Sequence, residues 1–193
     1  MTRSVTSLVL SALLLFSAFI SGCGSVGKSA AVRLAEPNAN AGSESATPLG
    51  RLYPKAKGYV NDFAEILTAA EEEGLESALS TVKQRGKIDF AIAIVRTTGG
   101  RDIFDYSLEM ANEWRVGSKN GGILLVVSIE DRKWGIQIDK KLEKKFTNDE
   151  IKRLGDTMIP HFRQQDYNSG LRVCVKAIAD ELARRHDFEP VNF

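Results

Sequence analysis

Two periodicities of apolar residues alternate along this chain, and each change of period marks a new element. Between Thr68 and Gly86, Leu75, Ala78, Leu79 and Val82 recur at spacings of three and four, which gives one apolar face of a helix. Thr68 stands three residues before Glu71, the spacing of a capping box, and Gly86 is a natural stop. Asp89–Val95 and Gly122–Ser128 are instead near-continuous runs of apolar and β-branched residues, as expected of strands buried on both faces. A second helix is predicted between them, from about Ile103 to Trp114. After the polar turn 130–133, Trp134, Ile136 and Ile138 alternate with Gly135 and Gln137, the pattern of a hairpin partner. Thr147 and Glu150 repeat the capping-box spacing before a helix over about 148–164, which Pro160 interrupts. A further helix covers about 168–185, with its stripe at 171, 174, 175, 178 and 182. Tyr59–Phe63 reads as a short extended segment. The order helix, strand, helix, strand, strand, helix, helix predicts a small α/β sandwich with a mixed sheet, its central strands parallel through the second helix.

The start of the chain has no such pattern. Arg3 precedes an apolar run from Leu8 to Ile20, which as a helix reaches about 20 Å, short of the roughly 30 Å of a bilayer's hydrocarbon core. A basic start, a short apolar stretch and small residues at the exit predict an export signal peptide over 1–22. Ile20-Ser21-Gly22-Cys23 resembles the lipobox of bacterial lipoproteins, which implies that Cys23 carries diacylglycerol and palmitate; the alternative is an ordinary signal with an incidental cysteine. Each acyl CH₂ buried in the bilayer contributes about 0.8 kcal/mol, so more than one chain anchors stably. Gly24, rather than Asp, follows the cysteine, which in a host with two membranes favours the outer membrane facing the periplasm. Residues 23–50 are rich in Gly, Ser, Ala, Asn and Pro and predict a flexible tether averaging roughly 25–30 Å end to end. The expected organisation is signal peptide 1–22, lipidated tether 23–50, folded domain 51–186 and C-terminal tail 187–193, lipid-anchored in the cell envelope on its extracytoplasmic side.

Charge narrows the function classes. The 193 residues hold 26 Lys+Arg and 25 Asp+Glu. Removing the leader takes away Arg3 and leaves a formally neutral chain. Nucleic acid is therefore not an expected partner, since its binders concentrate excess Lys and Arg on one face. Of the two cysteines, a lipidated Cys23 leaves Cys174 without an intramolecular partner, so no disulfide is expected. Cys174 lies on the apolar stripe of the last helix and reads as a buried structural thiol.

Several segments together resemble the TPM domain, a family named for a thylakoid-lumen protein, a photosystem II accessory protein and a nematode receptor-associated membrane protein. They are Val60-Asn61-Asp62 before Ile66-Leu67; Asp102-Ile103 with Tyr106; Trp114-Arg115-Val116-Gly117 leading to Lys119-Asn120-Gly121-Gly122-Ile123; Asp131-Arg132-Lys133; Leu142-Glu143; and Ile159-Pro160-His161-Phe162-Arg163 with Asp166-Tyr167 and Gly170-Leu171. The resemblance implies a Rossmann-like three-layer α/β/α sandwich on the extracytoplasmic side of a membrane. It also implies a role in assembling, repairing or modulating a membrane or envelope protein complex, with divalent-cation binding in some members and weak acid-phosphatase activity in plants. The chain departs from the family where many members carry a Gly-rich stretch of the type Val-Gly-Tyr-Gly-Leu-Glu; here stand Ile138-Asp139-Lys140-Lys141-Leu142-Glu143. Losing glycines at such positions implies a re-formed loop or side chains pointing into the space a ligand would fill, with an ammonium of Lys140 or Lys141 able to neutralise nearby carboxylates and stand in for a cation.

Candidate chemistry follows from the hairpin. Asn120 precedes one buried strand and Asp139 follows its antiparallel partner, so the two ends meet, with Glu143 nearby. The resemblance places Asp62 close to the same rim. Oxygen-bearing side chains converging in this way suit a hard cation, Ca²⁺ or Mg²⁺, with water completing its shell. The alternative is structural: Asp62 caps a turn, Asn120 takes an unusual backbone angle before Gly121-Gly122, and Glu143 is solvated. The chain offers no Cys-x₅-Arg loop, no Asp-x-Asp nucleophile and no Walker spacing, and His161 and His186 fit no metal-ligand spacing. Hydrolysis would have to rest on the carboxylates and a metal-activated water. The expected function is an accessory binding domain. A weak metal-assisted phosphatase is the alternative, and a structural spacer lipoprotein the third.

Overall fold

Four strands and six helices make up residues 53–117 and 119–192, those described in the computed structural model. The predicted signal peptide, the acylated Cys23 and the tether to residue 50 lie outside the described residues. In chain order the elements are β1 Val60–Asp62, α1 Ala69–Gly86, β2 Asp89–Val95, α2 Ile103–Trp114, β3 Gly122–Ser128, β4 Lys133–Ile138, α3 Lys140–Glu143, α4 Asn148–Asp156, α5 Ile159–Phe162 and α6 Tyr167–His186. The sheet order is β1-β2-β3-β4, with the first three strands parallel and β4 antiparallel to β3. This is the small mixed sheet of the predicted α/β/α sandwich.

The period-two alternation of β2 and β3 divides the core. Phe90, Ile92, Ile94, Ile123, Leu125 and Val127 meet Leu75, Leu79 and Val82 of α1 and the Leu171–Leu182 stripe of α6 on one face. Ala91, Ala93, Val95, Leu124 and Val126 face Met110 of α2 and Tyr53 on the other. The β1–α1–β2 and β2–α2–β3 crossovers step the same way across the sheet, yet their helices cover opposite faces. The two crossovers must therefore have opposite hands, and one is of the rare left-handed kind. As a result, the loops leaving the adjacent carboxyl ends of β1 and β2 part to opposite faces, the geometry that opens a crevice in α/β sheets.

Both predicted capping boxes form, at Thr68/Glu71 and Thr147/Glu150. The predicted 148–164 helix is split: α4 ends at Asp156, and Pro160 falls in the first turn of α5, where its missing N–H leaves no bond unmade. Helix α3 was not anticipated; the Asp139 side chain starts it by accepting from Lys141 N at 2.8 Å. The predicted tail packs instead of trailing. Arg85 Nη1 donates to Glu189 O and Pro190 O at 3.1 and 2.7 Å, Phe188 lies over Gly86, and Val191 is 1% exposed. Two isolated apolar residues carry no periodicity, so the pattern alone does not reveal this closure. Arg185 binds Glu150 Oε1 at 2.7 Å and also Glu181, and stacks 4.3 Å from the Phe146 ring centroid, which ties α4 and the preceding loop to α6.

Two helical glycines have opposite roles. A Cβ on Gly155 would overlap the Trp134 indole, whereas one on Gly74 would meet only the flexible end of Arg172 at 3.4 Å. Gly155→Ala is expected to destabilise by about 1–3 kcal/mol through overpacking. Gly74→Ala should stabilise by about 0.4–1 kcal/mol by restricting the unfolded chain. Urea unfolding of the two variants beside the parent checks both signs.

Candidate functional site

The carboxyl edge of the parallel strands gathers three loops, which two carboxylates, Asp62 and Asp131, shape by accepting hydrogen bonds. At the end of β1, Asp62 Oδ1 accepts from Ala64 N at 3.0 Å, while Oδ2 accepts from Ile66 N and Leu67 N at 2.7 and 2.8 Å. Those three bonds wind the loop into α1 and hold Glu65 at φ 57°. Asp131, in the turn after β3, accepts from Ser128 Oγ at 2.6 Å, Thr98 N at 2.7 Å, Thr98 Oγ1 at 3.1 Å and Thr97 Oγ1 at 3.2 Å. The Ser128 hydroxyl first, then the Thr98 amide, hold its carboxyl down from 3.8 to about 2. Asp131 thereby joins the β2–α2 loop to the β3–β4 hairpin.

Beside Asp62 lies an open hollow of about 470 Å³, walled by Glu72, Glu73 and Glu76 of α1. Glu76 is already engaged: it accepts from Tyr59 N at 3.0 Å and Val60 N at 2.7 Å and so fixes β1. On the α2 side, Arg101 donates to Tyr53 Oη at 2.5 Å and pairs with Glu109 at 2.7 Å. Trp114 Nε1 donates to Pro54 O at 2.9 Å. Together these bonds clamp the first described residues onto α2.

The four predicted ligands divide between the two ends of the sheet. Asn120 and Asp139 do share an edge, as the hairpin requires: Asp139 N donates to Gly122 O at 2.8 Å. That edge is the amino edge of β3, and there Asn120 Nδ2 donates to Gly86 O at 2.8 Å. Glu143 is exposed in α3, as are Lys140 and Lys141. Asp62 pairs with Ile94, which is level with Val127, five residues along β3 from Gly122, a separation of roughly 16 Å along the strand. The expected approach of Asp62 to that rim is thus corrected by topology. A residue that ends β1 and a residue that precedes the parallel β3 must lie at opposite edges. Among the described residues no group of three or more His, Cys, Asp or Glu side chains is placed to hold a metal ion.

Cys174 is a buried free thiol, as predicted, and burial pushes it up to about 12, which removes it as a nucleophile. The residue whose role sequence reasoning passed over is Asp131, which entered only as part of a polar turn and of the Asp131-Arg132-Lys133 segment of the family resemblance. Its clue was Ser128 three positions before it, together with the hydroxyl pair Thr97-Thr98 beyond the neighbouring strand.

The Asp131 bonds predict a pH dependence. A carboxyl held lower in the folded chain than in the unfolded one contributes stability that is present above about pH 4 and lost as pH falls toward 2. Glu150 and Glu181, both held near 2 by arginine partners, act in the same window. Asp131→Asn is expected to lower stability at neutral pH and to flatten its fall between pH 4 and 2. Thermal unfolding measured across that range tests this, and an unchanged slope would contradict it.

Residues 60–181 match the family model described as the TPM domain. The UPF0603 protein YdjH of Bacillus subtilis is 23% identical over 134 residues, 69% of this chain and 52% of that protein, so the chain spans about half of this relative's length. Among solved structures, the N-terminal domain of a P. gingivalis protein is 28% identical, covering 70% of this chain and 88% of its own, with a TM-score of 0.63. The BA42 protein of the psychrophilic bacterium Bizionia argentinensis is 21% identical over 66% of this chain and 88% of its own, with a TM-score of 0.58, and shares the fold. With the family match running from β1 to near the end of α6, this chain belongs to the TPM domain family.

Proposed function

We propose that this TPM domain works by binding, as an accessory domain in the assembly, repair or modulation of a membrane or envelope protein complex. It is tethered to the bilayer through acylated Cys23, on the extracytoplasmic side of the cell envelope. In a host with two membranes, that means the outer membrane facing the periplasm. The observation that carries this reading is how the crevice carboxylates are used. Asp62 and Asp131 are both engaged by main-chain amides and neighbouring hydroxyls. A general base or nucleophile presents lone pairs to a substrate, whereas Asp62 and Asp131 direct most of theirs to donors of the loops they shape. Rigid, pre-set loops at a sheet edge favour recognition, because little ordering remains to be done on binding.

The test begins at the anchor. Cys23→Ala is expected to abolish palmitate labelling and release the chain from the membrane fraction. A photo-crosslinking residue at exposed Thr97 should then capture a defined subunit of a membrane complex in the native envelope. Hydrolysis of p-nitrophenyl phosphate should stay at background with Ca²⁺ or Mg²⁺ added. Metal-dependent turnover lost in Asp62→Asn would replace binding by the phosphatase reading, and neither partner nor turnover would leave the spacer. The cation proposal has its own readout. A Ca²⁺ or Mg²⁺ titration followed by amide shifts should touch at most one edge of the sheet, and coincident saturable shifts at Asp62 and at Asn120, Asp139 and Glu143 would contradict the divided arrangement.

A further inference from the structure

A second cleft, of about 420 Å³, opens between the β3–β4 hairpin and the α5–α6 corner. Trp134, Phe162 and Tyr167 form its walls, and Arg132, Lys133 and Arg163 stand around its mouth, with no carboxylate among the lining residues. These aromatic walls are fixed. Gly155 makes room for the Trp134 indole, and a Cβ on Gly170 would come within 2.5 Å of the Phe162 ring. Phe162 meets Tyr167 edge to face at 5.3 Å. The cleft therefore stands open instead of closing by rotation of its rings.

Charge at the mouth is uncompensated. Elsewhere in the domain several cations do pair with acids: Lys83 with Asp89, Arg101 with Glu109, Lys176 with Asp180, and Arg185 with Glu150. Among the described residues, none of the three cationic heads at this cleft makes an ion pair. Two acids close by along the chain, Asp131 and Asp166, are engaged elsewhere. Asp131 is engaged by Ser128 and Thr98, and Asp166 accepts from Ser169 N at 3.1 Å with His161 Nδ1 at 3.9 Å. Arg132 sits at φ 52° in the hairpin turn, one of several non-glycine residues of the domain in the left-handed region.

We infer that this cleft binds a small aryl carboxylate, its ring between Trp134 and Phe162 and its carboxylate on the Arg132 and Arg163 guanidinium groups. The volume falls within the range of small-molecule sites, roughly 300–1,000 Å³, and admits one or two fused rings. Planar guanidinium forks match a carboxylate in two-bonded geometry, and a ring between aromatic walls excludes water from that pair. The inference stands on the cleft alone and does not require the binding role proposed for the neighbouring loops.

The probe is naphthalene-2-carboxylate, titrated into the full chain and followed by backbone-amide and indole shifts, with naphthalene-2-methanol as the neutral isostere. Saturable shifts are expected at Arg132–Trp134 and Phe162–Tyr167, with the alcohol binding at least about tenfold more weakly. The Arg132→Ala/Arg163→Ala double variant should weaken the acid about tenfold and leave the alcohol unchanged. Both arginines are exposed, and unshifted amides elsewhere report that the fold is intact. Equal affinity for acid and alcohol, unchanged affinity in the double variant, or no saturable shift at these residues would each overturn the assignment.

Discussion

The pairing of β2 with β3, parallel and buried on both faces, is the constraint from which the rest of the structure follows. Every residue of β3 and all but the first of β2 are buried, so neither face of this pair can be left to water. One face carries Phe, Ile, Leu and Val and takes up the thick layer of α1 and α6; the other offers Ala91 and Ala93 and lets α2 approach closely. The two crossovers place α1 and α2 on opposite sides of this pair. That division separates the loops at the carboxyl edge and fixes where a crevice can form. Asp62 and Asp131 then do what the open edge requires, satisfying loop amides that no strand reaches.

The elements set by periodicity and capping were legible from residue patterns. The bounds of β2 and β3 follow from the buried runs, while the start of α2 rests on Asp102, whose side chain accepts from Phe104 N at 2.8 Å. What escaped were features made by single side chains at a distance. The four-residue α3 depends on one Asp139 cap, and the closure of the C-terminus depends on Phe188 and Val191 reaching α1, a contact across about a hundred positions that no local window contains. The candidate site was half legible. Hairpin logic placed Asn120 and Asp139 together, whereas Asp62 was drawn to them by resemblance rather than by strand direction. Parallel strands already implied that it could not join them.

Acidic and basic character is also segregated around that edge, although the chain as a whole is close to neutral. Glu72 and Glu73 face the hollow beside Asp62 on the β1 side, while Arg132, Lys133 and Arg163 surround the cleft at the β3–β4 end. Between them lie β2 and its loop, where Thr97 and Thr98 hold Asp131 away from the basic cleft. A carboxylate left free beside Arg132 would neutralise that mouth. Bound by two threonines and a serine, Asp131 instead locks the hairpin while leaving the arginine unpaired.

This arrangement makes the hairpin turn a mechanical link between two surfaces. The same turn that positions Arg132 at the aromatic cleft is held by Asp131 to the loop that opens α2. A ligand that moved Arg132 would have to act on a carboxylate with several donors, and hence on Thr97 and Thr98 at the crevice. Because those donors include the Thr98 main-chain amide, displacement cannot be absorbed by side-chain rotation alone. The Asp131 bonds thus give the two surfaces one short side-chain connection beside the main-chain bonds of Ile129 and Glu130 to Val95 and Arg96. Its stiffness rests on the Asp131 bonds and not on the sheet, whose register leaves no freedom to slide without turning every core residue outward.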